Sequence, residues 1–284
     1  LISLGSVIEK ASFLSYLRDL CNKNSNITVI DEVDIEFDNP LDPTKILNPI
    51  SSVQYDYGKL IITDGANSKF ARELKIGSTH IDYNQTSYIF NAKYESSTDT
   101  AYQIFSKRGV FAILPGSEKH RSIVATIHNK YIDDFKFESN EMNIDLLEKE
   151  LQPNLKSIDN LKLIYSHPLN TTRLDTWTIK NIMFLGNSSQ LLHPFGAQGF
   201  NFALNCIKTI HSYAPKLLLD GELSPNLKHL IQKQRETLFK SIDLTSLALM
   251  KNDIVSNLTS SLFAKSLNIS QTIKRQFLKK ILNL

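Results

Sequence analysis

Two glycine-bearing turns hold the residues best suited to chemistry in this 284-residue chain. The longer one reads Gly186-Asn187-Ser188-Ser189-Gln190-Leu191-Leu192-His193-Pro194-Phe195-Gly196-Ala197-Gln198-Gly199-Phe200-Asn201 and follows the apolar run Ile182-Met183-Phe184-Leu185. A buried strand, a sharp glycine turn and a helix that starts with small residues is how open α/β sheets build a ligand site at the carboxyl ends of their strands. Gly186 can adopt backbone angles closed to residues with a Cβ, and Asn187 offers a donor and an acceptor to a hydroxyl-bearing ligand. Pro194 fixes its own φ and removes a donor, while Gly196 and Gly199 let the backbone approach a flat molecule. The N–H groups at the helix start, around Gln198 to Asn201, favour a negative or electron-rich edge. An ordinary strand–loop–helix crossover would show the same glycines, there only to make turns.

The second turn closes the strand in "LIITDGANSKFAREL", residues 60–74. Here Asp64-Gly65 ends an apolar run and small residues and Arg72 follow. Alone, it reads as a simple Asp-Gly turn. His193, on a loop and preceding proline, has the chemistry of a general base, or else only shapes the turn. His128 and His167 fall in strand surroundings and read as structural. No His or Cys pair has metal-ligand spacing, so no metal is expected. Cys21 and Cys206 stand far apart without a CxxC, which suits small packed residues in a reducing compartment.

The elements that must position these turns change character along the chain. "KASFLSYLRDLCN" (10–22) brings Phe13, Leu14, Leu17 and Leu20 near one helical face, "ITVIDEV" (27–33) reads as a strand, and "DNPLDPTKILNP" as loop. From residue 78 to 180, alternating stretches rich in Ile, Val, Tyr and Phe predict antiparallel strands, with a short amphipathic helix in "NIDLLEKELQPNL". "FNFALNCIKTIHSYAPKLLLDG" reads as a helix, and residues 224–284 as two or three more.

Composition narrows the classes. Hydrophobic content of 42% and charge of 21% are those of a globular chain. A net charge of +3, with no basic cluster interleaved with aromatics, argues against nucleic acid. No apolar run is long enough for a transmembrane helix, and the start lacks both a Met and a signal peptide's pattern. A cytoplasmic protein is therefore expected, either processed or incomplete at its start. The terminal "SQTIKRQFLKKILNL" aligns Ile273, Phe277, Ile281 and Leu284 among basic residues, which suits an anionic membrane surface or docking on protein.

Taken together, the two turns resemble those of the flavoprotein aromatic hydroxylases of the para-hydroxybenzoate hydroxylase type, and within them the 2-octaprenyl-6-methoxyphenol hydroxylase group of ubiquinone biosynthesis. That group shows an ADGxxS-type segment, here Thr63 to Ser68, and a GN/GD…HPxxGQGxN segment, here Gly186 to Asn201. "LGSVIEKASFLSYL" and "GVFAILPGSEKHRSIV" are similar to further parts of the family. The resemblance implies FAD as cofactor, NAD(P)H as reductant, and O2 with a polyprenyl phenol as substrates. Asp64 and Gly65 would lie near the FAD pyrophosphate and Asn187 by its ribityl or phosphate portion, with Gly186 also among the cofactor-binding residues. Pro194, Gly196, Ala197, Gln198, Gly199 and Asn201 would line the isoalloxazine ring. A quinone-synthesis complex and a peripheral membrane contact are implied as partners.

Three features depart from the family pattern. Ala197 stands where glycine is usual, Asn205-Cys206 replace an acidic residue, and no GxGxxG occurs anywhere. The expectation is that roughly the first hundred residues of the family's fold are absent. Trp177 is the only tryptophan, so the Trp-rich motif of related flavin halogenases is missing. The reading is a mixed α/β (α+β) fold: a partial Rossmann-like FAD domain at 1–77 and 181–222, an inserted antiparallel sheet at 78–180 over the substrate, and a helical tail at 223–284. Two other functions stay open: an FAD-free accessory member of a quinone-synthesis complex, and a related FAD enzyme acting on another aromatic.

Overall fold

The computed structural model describes residues 7–93, 100–116, 120–135, 144–151, 159–194, 198–219 and 223–250. The chain begins with helix α1 (Lys10–Asn22), then strands β1 (Glu36–Phe37), β2 (Lys45–Asn48), β3 (Val53–Asp56) and β4 (Leu60–Ile62), and helix α2 (Lys69–Glu73). The long strand β5 (Ser78–Lys93) leads to β6 (Tyr102–Ser106), β7 (Gly109–Leu114), β8 (His120–His128) and helix α3 (Ile144–Leu151). A second long strand, β9 (Asp159–Leu174), is followed by β10 (Thr178–Ile179), β11 (Ile182–Phe184), β12 (Gln190–Leu191), α4 (Gln198–Leu219) and α5 (Pro225–Met250). Two compact units result. Residues 81–170, with 1–7 and 241–284, make one; residues 8–80 and 171–240 make the other.

The first unit is built on strands in the order β9-β5-β8-β7-β6, of which β5, β8, β7 and β6 pair antiparallel. Alternation decides its core. Ile123, Ala125 and Ile127 of β8 pair with Phe90, Tyr88 and Thr86 of β5 on one side, and with Ile113, Phe111 and Gly109 of β7 on the other. The same face therefore gathers Phe90, Phe111, Ile113, Ile123 and Ile127, which Phe135 and Leu147 and Leu151 of α3 cover. Arg108, in the β6–β7 turn, pairs with Glu150 of α3 at 2.8 Å and with Asp134 at 3.3 Å.

In the second unit, β1, β2 and β3 form an antiparallel meander, and β10-β11-β4 a separate sheet. Strand β12 pairs with the end of β9 through Gln190↔Arg173 and Leu191↔Thr172. Phe37, Ile62, Ala71, Leu174, Ile182 and Phe184 pack together as the core of this unit. The described residues thus form a mixed α/β chain with antiparallel sheets and a parallel strand pair, β4 with β11.

Several local expectations differ from what forms. No strand forms over 27–33: Ile27, Val29 and Ile30 are exposed and no described strand pairs with this stretch, so its β-propensity goes unused. The Pro- and Asp-rich stretch holds strand β2, because Lys45–Asn48 is paired on both sides, by β1 and by β3. Helix α1 forms as expected, yet its apolar stripe is not buried. Beyond residue 223 a single helix runs to Met250, and the basic amphipathic stretch at 270–284 lies outside the described residues. Among the described residues, no helix is long and apolar enough to cross a membrane.

Candidate functional site

Strands β4 and β11 lie side by side and parallel, with Leu60, Ile61 and Ile62 opposite Ile182, Met183 and Phe184. This register brings both glycine turns to one level. Asp64-Gly65 starts two residues beyond Ile62, and Gly186-Asn187 two beyond Phe184. Leu185 donates its backbone N–H to the Ile62 carbonyl at 3.0 Å. The Ser188 hydroxyl lies 2.8 Å from the Ile62 carbonyl and 2.7 Å from that of Leu185, so it bridges the two strand ends. Gly65 and Gly186 have φ of +97° and +61°, the left-handed region where a Cβ is penalised. Both reversals therefore leave the sheet at its carboxyl end, as the open-sheet rule requires of a binding site.

Asp64 has a local task there. Its Oδ2 accepts from the Ser68 hydroxyl and from the Lys69 N–H, both at 2.9 Å. Ser68 in turn caps α2, its Oγ accepting from the Ala71 N–H at 3.1 Å. The "TDGANS" segment is therefore held by its own side chains, with Asp64 still exposed at the rim.

Helix α4 begins on the second turn. A Cβ at Gly199 would come within 4.0 Å of Asn187 Oδ1, and one at Gly186 within 3.8 Å of Ala203 Cβ. The first turn of α4 contains no acidic residue, and its leading N–H groups have no intrahelical acceptor. Gln198 is buried, whereas Asn187, Pro194 and Asn201 are exposed. The structure thus gathers Asp64, Gly65, Gly186, Asn187, Gly199 and the start of α4 at one end of the parallel pair. Gly196 and Ala197, with Phe195, lie outside the described residues.

Two residues of this unit escaped the sequence reading. Ser188 is one, hidden in a polar run. Arg235 of α5 is the other: fully buried, it donates to the carbonyls of Leu174 at 2.8 Å and Ser189 at 3.1 Å, and to Gln232 Oε1 at 3.0 Å. Burial, with Arg173 nearby, lowers its pKa to about 10, so it stays charged at neutral pH. Nothing in "QKQRETL" distinguishes this arginine from a solvated one. His193 is buried, and burial lowers its pKa to about 4, so its ring is neutral near pH 7. It is thus a packed part of the loop. Burial pushes the Cys206 thiol up to about 12, which makes it inert. Among the described residues, no group of three or more His, Cys, Asp or Glu could hold a metal ion.

A flavin would fit this corner. Its polar edge calls for donors on backbone and amide groups, and the exposed Asn187 and the start of α4 supply that kind of donor. Its flat ring calls for close backbone approach, and Gly186 and Gly199 leave that space.

No protein-family model matches the chain. It is 23% identical to a protein of Dictyostelium discoideum named ubiquinone biosynthesis monooxygenase COQ6, mitochondrial, over 77% of this chain and 55% of that protein. The protein of the same name in Danio rerio is 20% identical, over 75% of this chain and 51% of the relative. The chain therefore spans about half the length of the curated relatives it matches. Among solved structures, its fold is similar to that of PqsL from Pseudomonas aeruginosa, described as a probable FAD-dependent monooxygenase. That match has a TM-score of 0.68 at 14% identity and covers 88% of this chain and 72% of PqsL. The flavin-dependent brominase Bmp2 matches with a TM-score of 0.72 at 12% identity, covering 97% of this chain and 70% of the brominase. The chain is thus similar in sequence to two ubiquinone biosynthesis monooxygenases and has the fold of flavin-dependent monooxygenases and halogenases.

Proposed function

We propose that this chain is part of an FAD-dependent aromatic-ring monooxygenase that hydroxylates a polyprenyl phenol in quinone biosynthesis, with NAD(P)H as reductant and O2 as co-substrate. The observation that carries the reading is the in-register ending of β4 and β11 in two left-handed glycine turns, with α4 starting on the second. When bound, the flavin supplies the oxygen-activating chemistry. The chain's own residues bind and orient. Asn187 and the first turn of α4 face the cofactor's polar portions, and Asp64 and Gly65 border its pyrophosphate. Pro194, Gln198, Gly199 and Asn201 would lie along its ring. Positive potential at the helix start favours the reduced, anionic ring. His193, buried and neutral near pH 7, would shape this loop.

The two curated relatives, both named for ubiquinone biosynthesis, support the pathway assignment. A second reading is favoured by particular residues: Ala197 in place of the usual glycine, and the absence of GxGxxG from these residues, fit an FAD-free accessory member of a quinone-synthesis complex. The visible absorption spectrum of the purified protein separates the two. A flavin spectrum that follows the protein, with NAD(P)H oxidation stimulated by a polyprenyl phenol, supports the monooxygenase. A colourless protein that gains no flavin on titration overturns it. Flavin without stimulation by the prenyl phenol points to another aromatic substrate.

A further inference from the structure

Helix α5 carries a charge where its packing stripe calls for an apolar side chain. Leu227, Ile231 and Arg235 follow one another at four-residue spacing, and all three are fully buried. Burying a guanidinium costs free energy that a leucine at the same place would not, unless a partner of opposite charge offsets it. Here only neutral groups do so. Nη2 donates to the carbonyls of Leu174 at 2.8 Å and Ser189 at 3.1 Å, and Nη1 to the Gln232 amide oxygen at 3.0 Å. The buried Nε has no acceptor among the described residues. Among those residues no carboxylate pairs with Arg235 either; Glu236 and Asp175 act on it only through space.

One residue connects this charge to the candidate site. The Ser189 carbonyl that accepts from Arg235 also accepts from the Leu174 N–H at 3.0 Å. Ser189 in turn donates both its N–H and its hydroxyl to the Gly186 carbonyl, each at 3.1 Å. The guanidinium, Ser189 and Gly186 therefore form an unbroken series of hydrogen bonds, which ends at the left-handed turn after β11. Ser189 is buried as well. Hydrogen bonds in series polarise one another, and a buried charge is screened far less than one at the surface. Cys206 of α4 is also a neighbour of this guanidinium, so the charge adds to the positive potential that the start of α4 already carries.

We infer that Arg235 is a positioning residue for the cofactor. From the core of the unit it braces the Gly186–Asn187 turn through Ser189 and gives that corner a fixed positive charge, which favours a reduced, anionic flavin over an oxidised, neutral one. The inference rests on the flavoprotein reading and goes beyond it, since neither the glycine turns nor the start of α4 requires a charge in α5.

The test compares Arg235→Met, Arg235→Gln and Arg235→Lys with the unsubstituted protein, each as its own cells make it, by the two-electron midpoint potential of the bound flavin. Loss of the charge should weaken binding of reduced relative to oxidised flavin by roughly tenfold, which lowers the potential by about 30 mV. Arg235→Gln carries the same loss of charge should Arg235→Met fail to fold. Arg235→Lys should keep most of the potential although it loses the planar fork. Amide exchange at Ser189, followed with the flavin removed, reports the bracing by itself and should quicken in all three variants. A purely structural role would instead lower the potential of Arg235→Lys together with the neutral variants. That result, equal potentials in all four proteins, unchanged exchange at Ser189, or loss of oxidised flavin from a folded neutral variant overturns the inference and leaves the flavoprotein reading standing. An unsubstituted protein that neither carries nor takes up flavin overturns both.

Discussion

The Ser188 hydroxyl sits 2.8 Å from the carbonyl of Ile62, joining the turn after β11 to the last residue of β4 across 126 positions of sequence. Because the Leu185 N–H reaches the same carbonyl, the two strand ends cannot slide past each other without breaking both bonds. Replacing Ser188 by Ala leaves the Leu185 bond in place and should cost about 1 kcal/mol. Urea denaturation measures that loss. A flavin titration should show weaker binding in the same variant, because the two turns are no longer tied.

Gly199 separates a turn-making role from a cradle. It lies in the first turn of α4, where alanine is the better helix former and its Cβ would find Asn187 Oδ1 only at 4.0 Å, an ordinary contact. Gly199→Ala should therefore raise stability, by up to about 1 kcal/mol, while lowering flavin affinity. A variant that is more stable and binds flavin unchanged would remove Gly199 from the site.

Gly186 responds the other way. At φ +61° an alanine is strained although the nearest atom, Ala203 Cβ, lies 3.8 Å away. Gly186→Ala should destabilise by about 1–2 kcal/mol through backbone strain alone. Thermal melts of Gly186→Ala and Gly199→Ala should shift in opposite directions.

His193 makes stability depend on acid. Burial holds its folded pKa at about 4, below the ordinary 6.5. The unfolded chain therefore binds a proton more readily between these values. The contribution is complete above about pH 6.5, shrinks as pH falls, and is lost below about pH 4, on the order of 3 kcal/mol in all. Denaturation midpoints of His193→Gln should fall less steeply over that window than those of the unsubstituted protein. Parallel slopes would mean that other groups carry the acid sensitivity.

Arg235 holds the far side of the same loop. Removing its fork in Arg235→Met strands the buried Leu174 carbonyl, while Ser189 keeps its bond from the Leu174 N–H. The expected cost is about 1–3 kcal/mol in urea denaturation. Arg235→Lys should recover only part of it, since an ammonium cannot span both carbonyls in the same planar geometry.

Much of this protein was legible locally. Alternation along 78–128 specifies the antiparallel strands β5 to β8, because a period of two leaves one face to bury. The run 182–185 followed by Gly186 specifies a buried strand and a left-handed turn, since both depend only on neighbours in sequence. Strand β2 and the unpaired 27–33 stretch were misread for the opposite reason: pairing, which propensity does not contain, decides whether an extended segment becomes a strand.

What the chain by itself determined is therefore the inventory: which stretches are apolar, where glycine relieves the backbone, and which polar groups stand at the turns. Only the tertiary structure decided that β4 and β11 lie parallel and in register, that Ser188 closes the gap between them, and that Arg235 is buried against carbonyls from two distant segments. Those outcomes depend on contacts between residues dozens to more than a hundred positions apart. Local periodicity and composition cannot encode which of many possible partners meet, because the free energy that selects them comes from burial and hydrogen bonding formed only once the whole unit has packed.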